Sequence, residues 1–195
     1  MSARPALGLV VIGTSWGGLD ALGIVLGSLP KSFQLPIVVV QHRTPRPKVR
    51  ALAELLSARA QRPVTEAEDK SPLVRGHVHL APSDYHLLVE GPSLALSVDE
   101  QVRFSRPSID VLFESASESW GSHVCGVILT GANSDGADGL RAIYRCGGPT
   151  VVEDPQTAEQ STMPWAALEA VPKARVLPLR EIGPYLSRLA KADGG

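Results

Sequence analysis

The stretch "VVIGTSWGG", Val10–Gly18, decides the reading of this chain. An apolar run stops at Gly13, and Ser15 follows inside a glycine turn. Before it, "LGLVVIGT" (7–14) has the β-branched, uncharged character of a buried strand. After it, "GLDALGIVLGSLP" (18–30) places Leu19, Leu22, Val25, Leu26 and Leu29 at helical spacing and closes at Pro30. Gly13-Thr14-Ser15-Trp16-Gly17 therefore fits G-x-S-x-G, in which a strand, a sharp turn and a helix lift a serine hydroxyl above a sheet. Two other readings fit the same letters. Ser15 could cap the helix. Alternatively, Gly13, Ser15 and Gly18 could stand for the G-x-G-x-x-G of a dinucleotide site.

The next strand separates these readings. "LPIVVVQ" (35–41) ends in Gln41-His42, where a ribose-binding turn needs an acid. A histidine stands there instead. In an open parallel sheet the functional crevice lies at the carboxyl ends of the strands, so Ser15 and His42 fall on one edge. "HVCGVILT" (123–130) is a third buried strand, and the loop after it carries Asn133, Ser134 and Asp135. Asp135 is then the carboxylate to complete a Ser-His-Asp set, unless it only favours the dipole of the following helix. Asp138 competes from within that helix.

The rest of the chain supports an α/β class: a doubly wound, mostly parallel sheet flanked by helices in three α/β/α layers, Rossmann-like, over one domain of residues 1–195. Helices are predicted at 46–59 (Val49, Leu52, Leu55 and Leu56 on one face), 106–120, 134–148 with a glycine C-cap, 163–170 and 179–192. "PTVVED" (149–154) predicts a strand. "GHVHLAP", "YHLLVE" and "SLALSVD", split by turns, predict a small antiparallel excursion.

Bulk numbers bound the function. The chain has 195 residues, 44% hydrophobic and 20% charged, enough for a core without disulfides or metal. The net charge of −1 gives no electrostatic case for nucleic acid. No apolar run approaches the ~18 residues of a membrane span, and the start lacks a signal peptide pattern, so a cytoplasmic protein is expected. Cys125 and Cys146 stand far apart, which favours free thiols in a reducing compartment. His77, His79, His86 and His123 compete with His42. His77 and His79 alternate on one strand face and could bind a metal, but no carboxylate or cysteine set accompanies them. No metal or organic cofactor is expected.

Taken in order, "IGTSWGG", "VVVQHR", "HVHLAPSDYHLLV", "RPSIDVLF", "GVILTGANSDGADGL" and "STMPWAALE" resemble the successive motifs of the CheB-type chemotaxis protein-glutamate methylesterases. The resemblance runs over about residues 8–180. It implies a parallel α/β/α fold, with Ser15 as nucleophile, His42 as general base and Asp135 orienting the histidine. It also implies hydrolysis of glutamate γ-methyl esters on the cytoplasmic helices of a methyl-accepting chemoreceptor, and permits deamidation of receptor glutamines. Trp16 stands where the family has a small residue, Arg43 where it has an apolar one, and Gly131-Ala132-Asn133-Ser134-Asp135-Gly136 departs from its usual loop. Backbone N–H groups around Trp16, Gly17 and Ala132 are the expected oxyanion donors. Arg43, Arg46, Lys48 and Arg50 form a basic run that would suit a glutamate-rich helix. The family often carries a receiver domain ahead of the esterase; here the first strand is expected near residue 7, so no receiver and no phosphorylation control in cis are expected. A receptor-binding module without turnover is the alternative.

Overall fold

The computed structural model describes residues 7–42 and 50–191. Among these residues, nine strands and six α-helices run in the order β1 (Leu9–Thr14), α1 (Gly18–Gly27), β2 (Ile37–Gln41), α2 (Arg50–Ala60), β3 (Val64–Glu66), β4 (Val78–Leu80), β5 (His86–Glu90), β6 (Ser93–Ser97), α3 (Ile109–Trp120), β7 (Val124–Ile128), α4 (Ala137–Arg145), β8 (Thr150–Glu153), α5 (Thr162–Ala170), β9 (Arg175–Leu177) and α6 (Leu179–Lys191). Seven strands form one sheet in the order β3-β4-β2-β1-β7-β8-β9, and every pairing in it is parallel.

Period-two alternation in continuous apolar strands builds the three layers. Val10 and Ile12 of β1 point to one face, where α1, α2 and α6 supply Leu22, Leu26, Leu56, Ile182 and Leu186. Leu9 and Val11 point to the other, against Ile109, Leu112 and Phe113 of α3, Leu140 of α4 and Met163 of α5. The chain builds outward from β1 through β2, then returns to pair β7 on its opposite side. That reversal is the topological switch point of an open α/β sheet, where crevices form.

Two expectations need correction. "GHVHLAP" is not part of the antiparallel excursion. Its core, β4, lies parallel between β3 and β2. Only β5 and β6 form the antiparallel hairpin. Of the face predicted for α2, Leu52 and Leu56 pack on the core, Leu55 is exposed, and Val49 lies outside the described residues. The three-residue edge strands β3 and β9 were not anticipated.

Helix ends follow local chemistry. α4 stops at Cys146, and Gly147 takes φ 82°, which frees its N–H to bond the Tyr144 carbonyl, as expected of a glycine after a helix. Cys125 is buried, Cys146 is exposed, and both are free thiols. No described helix is long and apolar enough to cross a membrane.

Candidate active site

Ser15 follows β1 directly, His42 follows β2, and Asp135 sits in the loop between β7 and α4. The sheet register brings these ends together, since Thr14 pairs with Gln41 and Gly13 with Ile128. The His42 Nε2 lies 2.7 Å from Asp135 Oδ2. With Nε2–H donated to the carboxylate, the lone pair is on Nδ1, which faces the Asn133 amide at 3.4 Å.

Asp135 is fully buried and accepts four donors, two on each oxygen. Oδ2 takes the His42 Nε2–H and the Ile109 N–H, both at 2.7 Å. Oδ1 takes the Ser108 hydroxyl at 2.8 Å and the Asp110 N–H at 3.1 Å. Ser108 is the N-cap of α3, so the carboxylate rests on that helix's amino end. Burial alone would raise this carboxyl; the His42 bond and the Ile109 and Asp110 N–H groups outweigh it and hold it below the usual carboxylate range. Asp135 therefore does not serve the dipole of its own following helix, whose N-cap is Gly136. Asp138 lies within α4 and pairs with Arg103 and Arg141.

The helix-cap reading of Ser15 does not hold. The N-cap of α1 is Gly17 at φ 76°, and the Ser15 hydroxyl makes no hydrogen bond among the described residues. Its backbone is tied down instead. The Ser15 N–H donates to the Thr130 carbonyl at 3.0 Å, and the Ser15 carbonyl accepts from Gly18 N–H and from Gln41 Nε2 at 2.7 Å. Gln41 Nε2 also reaches the His42 carbonyl at 2.9 Å, so the residue that stands where a ribose-binding acid would be joins the backbones of Ser15 and His42. Gly17 is needed because of its left-handed φ and because a Cβ there would lie 2.5 Å from Glu159 Oε2.

The N–H groups of Trp16, Gly17 and Ala132 donate to no partner among the described residues, as oxyanion donors require. Trp16 is 64% exposed, and its indole N–H donates to Glu159 Oε1 at 3.0 Å. The ring lies outside the core. Ala132 is also exposed. Arg43, Arg46 and Lys48 lie outside the described residues; Arg50 begins α2, and its side chain is likewise not described.

The other histidines have separate work. His86 Nδ1 accepts the Ser108 N–H at 3.2 Å, which helps fix the start of α3. His79 accepts the Val74 N–H at 3.1 Å, and burial followed by the His77 charge lowers its pKa. No described group of three His, Cys, Asp or Glu could hold a metal. Ser108, Asp110, Thr130 and Glu153 escaped the sequence reading. Their only signal was polar chemistry at predicted strand and helix ends, which many surface residues share.

Comparison with known proteins agrees with this geometry. The family model of the CheB methylesterases matches residues 10–186. A relative from Leptospira interrogans, named provisionally as a protein-glutamate methylesterase/protein-glutamine glutaminase, is 47% identical over 184 residues, covering 92% of this chain and 93% of that protein. A protein-glutamate methylesterase/protein-glutamine glutaminase 2 of Caulobacter vibrioides is 37% identical over 188 residues; 94% of this chain covers 54% of that longer protein. The crystal structure of the Thermotoga maritima CheB methylesterase catalytic domain superposes with a TM-score of 0.88 at 34% identity, over 95% of this chain and all of that one. A serine turn, a strand-end histidine and a buried aspartate on a matching fold and sequence place this chain in the CheB methylesterase family.

Proposed function

We propose that this chain is a protein-glutamate methylesterase that acts in the cytoplasm on methylated glutamates of chemoreceptor helices, with Ser15, His42 and Asp135 as its triad. The observation that carries the reading is the 2.7 Å bond between His42 Nε2 and the fully buried, four-donor Asp135, at the strand edge where Ser15 ends β1. Asp135 fixes the tautomer that leaves Nδ1 as the base. His42 Nδ1 takes the Ser15 proton, and Oγ attacks the ester carbonyl. The N–H groups of Trp16, Gly17 and Ala132 receive the oxyanion. The proton on His42 goes to the departing methoxide, and methanol leaves. Water, activated by the same nitrogen, then attacks the glutamyl ester of Ser15 and restores the hydroxyl.

An amide can form the same acyl-enzyme, so glutamine deamidation falls within reach of this site and accords with both relatives' names. Residues 1–195 serve as one catalytic domain. The basic run Arg43, Arg46, Lys48 and Arg50 steers a glutamate-rich receptor helix toward His42. The test is methanol release from a methylated chemoreceptor cytoplasmic fragment. Wild type should release methanol and Ser15→Ala should not; equal release by both proteins overturns the reading.

A further inference from the structure

A buried carboxyl that the proposed mechanism leaves unused lies behind the serine turn. Glu153 ends β8 and is fully buried. Its Oε2 accepts the Thr130 N–H at 2.8 Å, while its Oε1 has no hydrogen-bond partner. Thr130 in turn anchors the serine turn. Its carbonyl accepts the Ser15 N–H at 3.0 Å and the Thr14 hydroxyl at 2.8 Å. Its own hydroxyl donates to the Trp16 carbonyl at 3.0 Å, with the Gln160 carbonyl as alternative at 3.3 Å, and accepts the Gln160 N–H at 2.8 Å.

An ionised carboxylate needs several donors when buried, and Glu153 has one. No described cation pairs with it. Among the described residues, the charged groups that face it are Asp154, next in the chain, and Glu159, in the loop before α5, and both are acidic. A neutral carboxylic acid leaves only a hydroxyl unpaired, at far lower cost than a bare anion. Burial first, then those two acids, push the group up to about 7 against the pull of the Thr130 N–H.

We propose that Glu153 is a positioning residue of the esterase: as a neutral acid it seats Thr130, and through it the Ser15–Trp16 turn, and its ionisation slows the reaction. The inference rests on the esterase reading. A negative charge on Glu153, one hydrogen bond from the Thr130 that holds the Ser15–Trp16 turn, opposes the negative charge that develops on the substrate oxygen in the transition state. Glutamine has the size and the acceptor of the neutral acid but cannot ionise.

The experiment measures kcat/KM against pH on a small methyl ester, together with the NMR shift of the Thr130 amide. Wild type should lose activity about threefold or more between pH 7 and 9, with the Thr130 resonance moving at the same midpoint. Glu153→Gln should keep activity within about twofold at pH 6 and lose the alkaline fall, and its Thr130 resonance should stay still. Glu153→Ala, if folded, should be about tenfold slower at every pH, because Thr130 loses its acceptor. An unchanged alkaline fall in Glu153→Gln, or a wild-type Thr130 amide without a midpoint there, overturns the role of Glu153 alone. A wild type that releases no methanol from the methylated receptor fragment overturns the esterase reading itself, so the two failures are told apart.

Discussion

Asp135 and Asp110 cap each other's helices. Asp135, before α4, accepts the N–H groups of Ile109 and Asp110 at the start of α3. Asp110, on α3, accepts the N–H groups of Gly136 and Gly139 at the start of α4, at 2.9 and 2.8 Å. The exchange locks the two helices, and one member of the pair also holds His42. It places two acids side by side, at a cost that burial makes larger.

Asp110 bears that cost. Burial first, then the charge of Asp135, raise its carboxyl to about 6, while the Gly139 N–H and Arg103 pull it down. A folded-state value above the unfolded one means stability that is fully present below the unfolded value and lost as pH rises through about 6. Asp110→Asn keeps an acceptor and removes the titration. Its melting temperature should therefore fall less than that of wild type between about pH 4 and 7. Asp110→Ala should lose about 1–3 kcal/mol through the unsatisfied helix N–H groups. Thermal melts across pH check both, and parallel wild-type and Asp110→Asn curves would refute the assignment.

Asp135 has the opposite sign. Its carboxyl is held below the usual range, so its contribution is present above the unfolded value and lost as pH falls through the folded one. Asp135→Asn should flatten the acid limb of stability. It should also cost on the order of 10²–10⁴ in kcat, because an amide can present its NH2 to Nε2 and force the proton onto the base nitrogen. Acid unfolding with circular dichroism, and turnover at neutral pH, measure the two effects separately.

Gly17 carries a backbone constraint at the site. Its φ of 76° and the 2.5 Å approach of a Cβ to Glu159 are independent penalties. Gly17→Ala should cost about 1–2 kcal/mol from the left-handed backbone alone. Removing the Glu159 side chain should relieve only the contact. If urea melts show Gly17→Ala fully restored by Glu159→Ala, the backbone argument fails.

Trp16 should govern fit without governing folding. An exposed ring with one hydrogen bond to Glu159 adds little to the core. Trp16→Thr keeps the backbone N–H and should shift the melting temperature little. It should change KM and the preference between small and bulky methyl esters more than kcat, since a rim wall supplies uniform binding. A large loss of kcat on both esters with unchanged KM would count against the rim role.

The grouping of Ser15, His42 and Asp135 was legible because Ser15 and His42 directly follow strongly apolar strands, Asp135 lies in the loop after a third, and parallel strands share their carboxyl edge. Ser15, His42 and Asp135 needed no knowledge of side-chain contacts to be grouped. β3 and β9 were not legible, since three residues carry no usable period. β4 misled because its short run sits between turns beside a true hairpin, and only pairing with β2 and β3 settles its direction. Asp110 and Glu153 act across the fold: Glu153 meets Thr130 at a sequence separation of 23, and no local pattern announces such a contact.

The most direct test of the account is the turnover of folded Ser15→Ala, His42→Ala and the double variant on a methylated receptor fragment. Each single variant should lose on the order of 10²–10⁴ or more, and the double should be little slower than either, because the two residues act as one unit. A folded His42→Ala that releases methanol at nearly the wild-type rate would contradict the account.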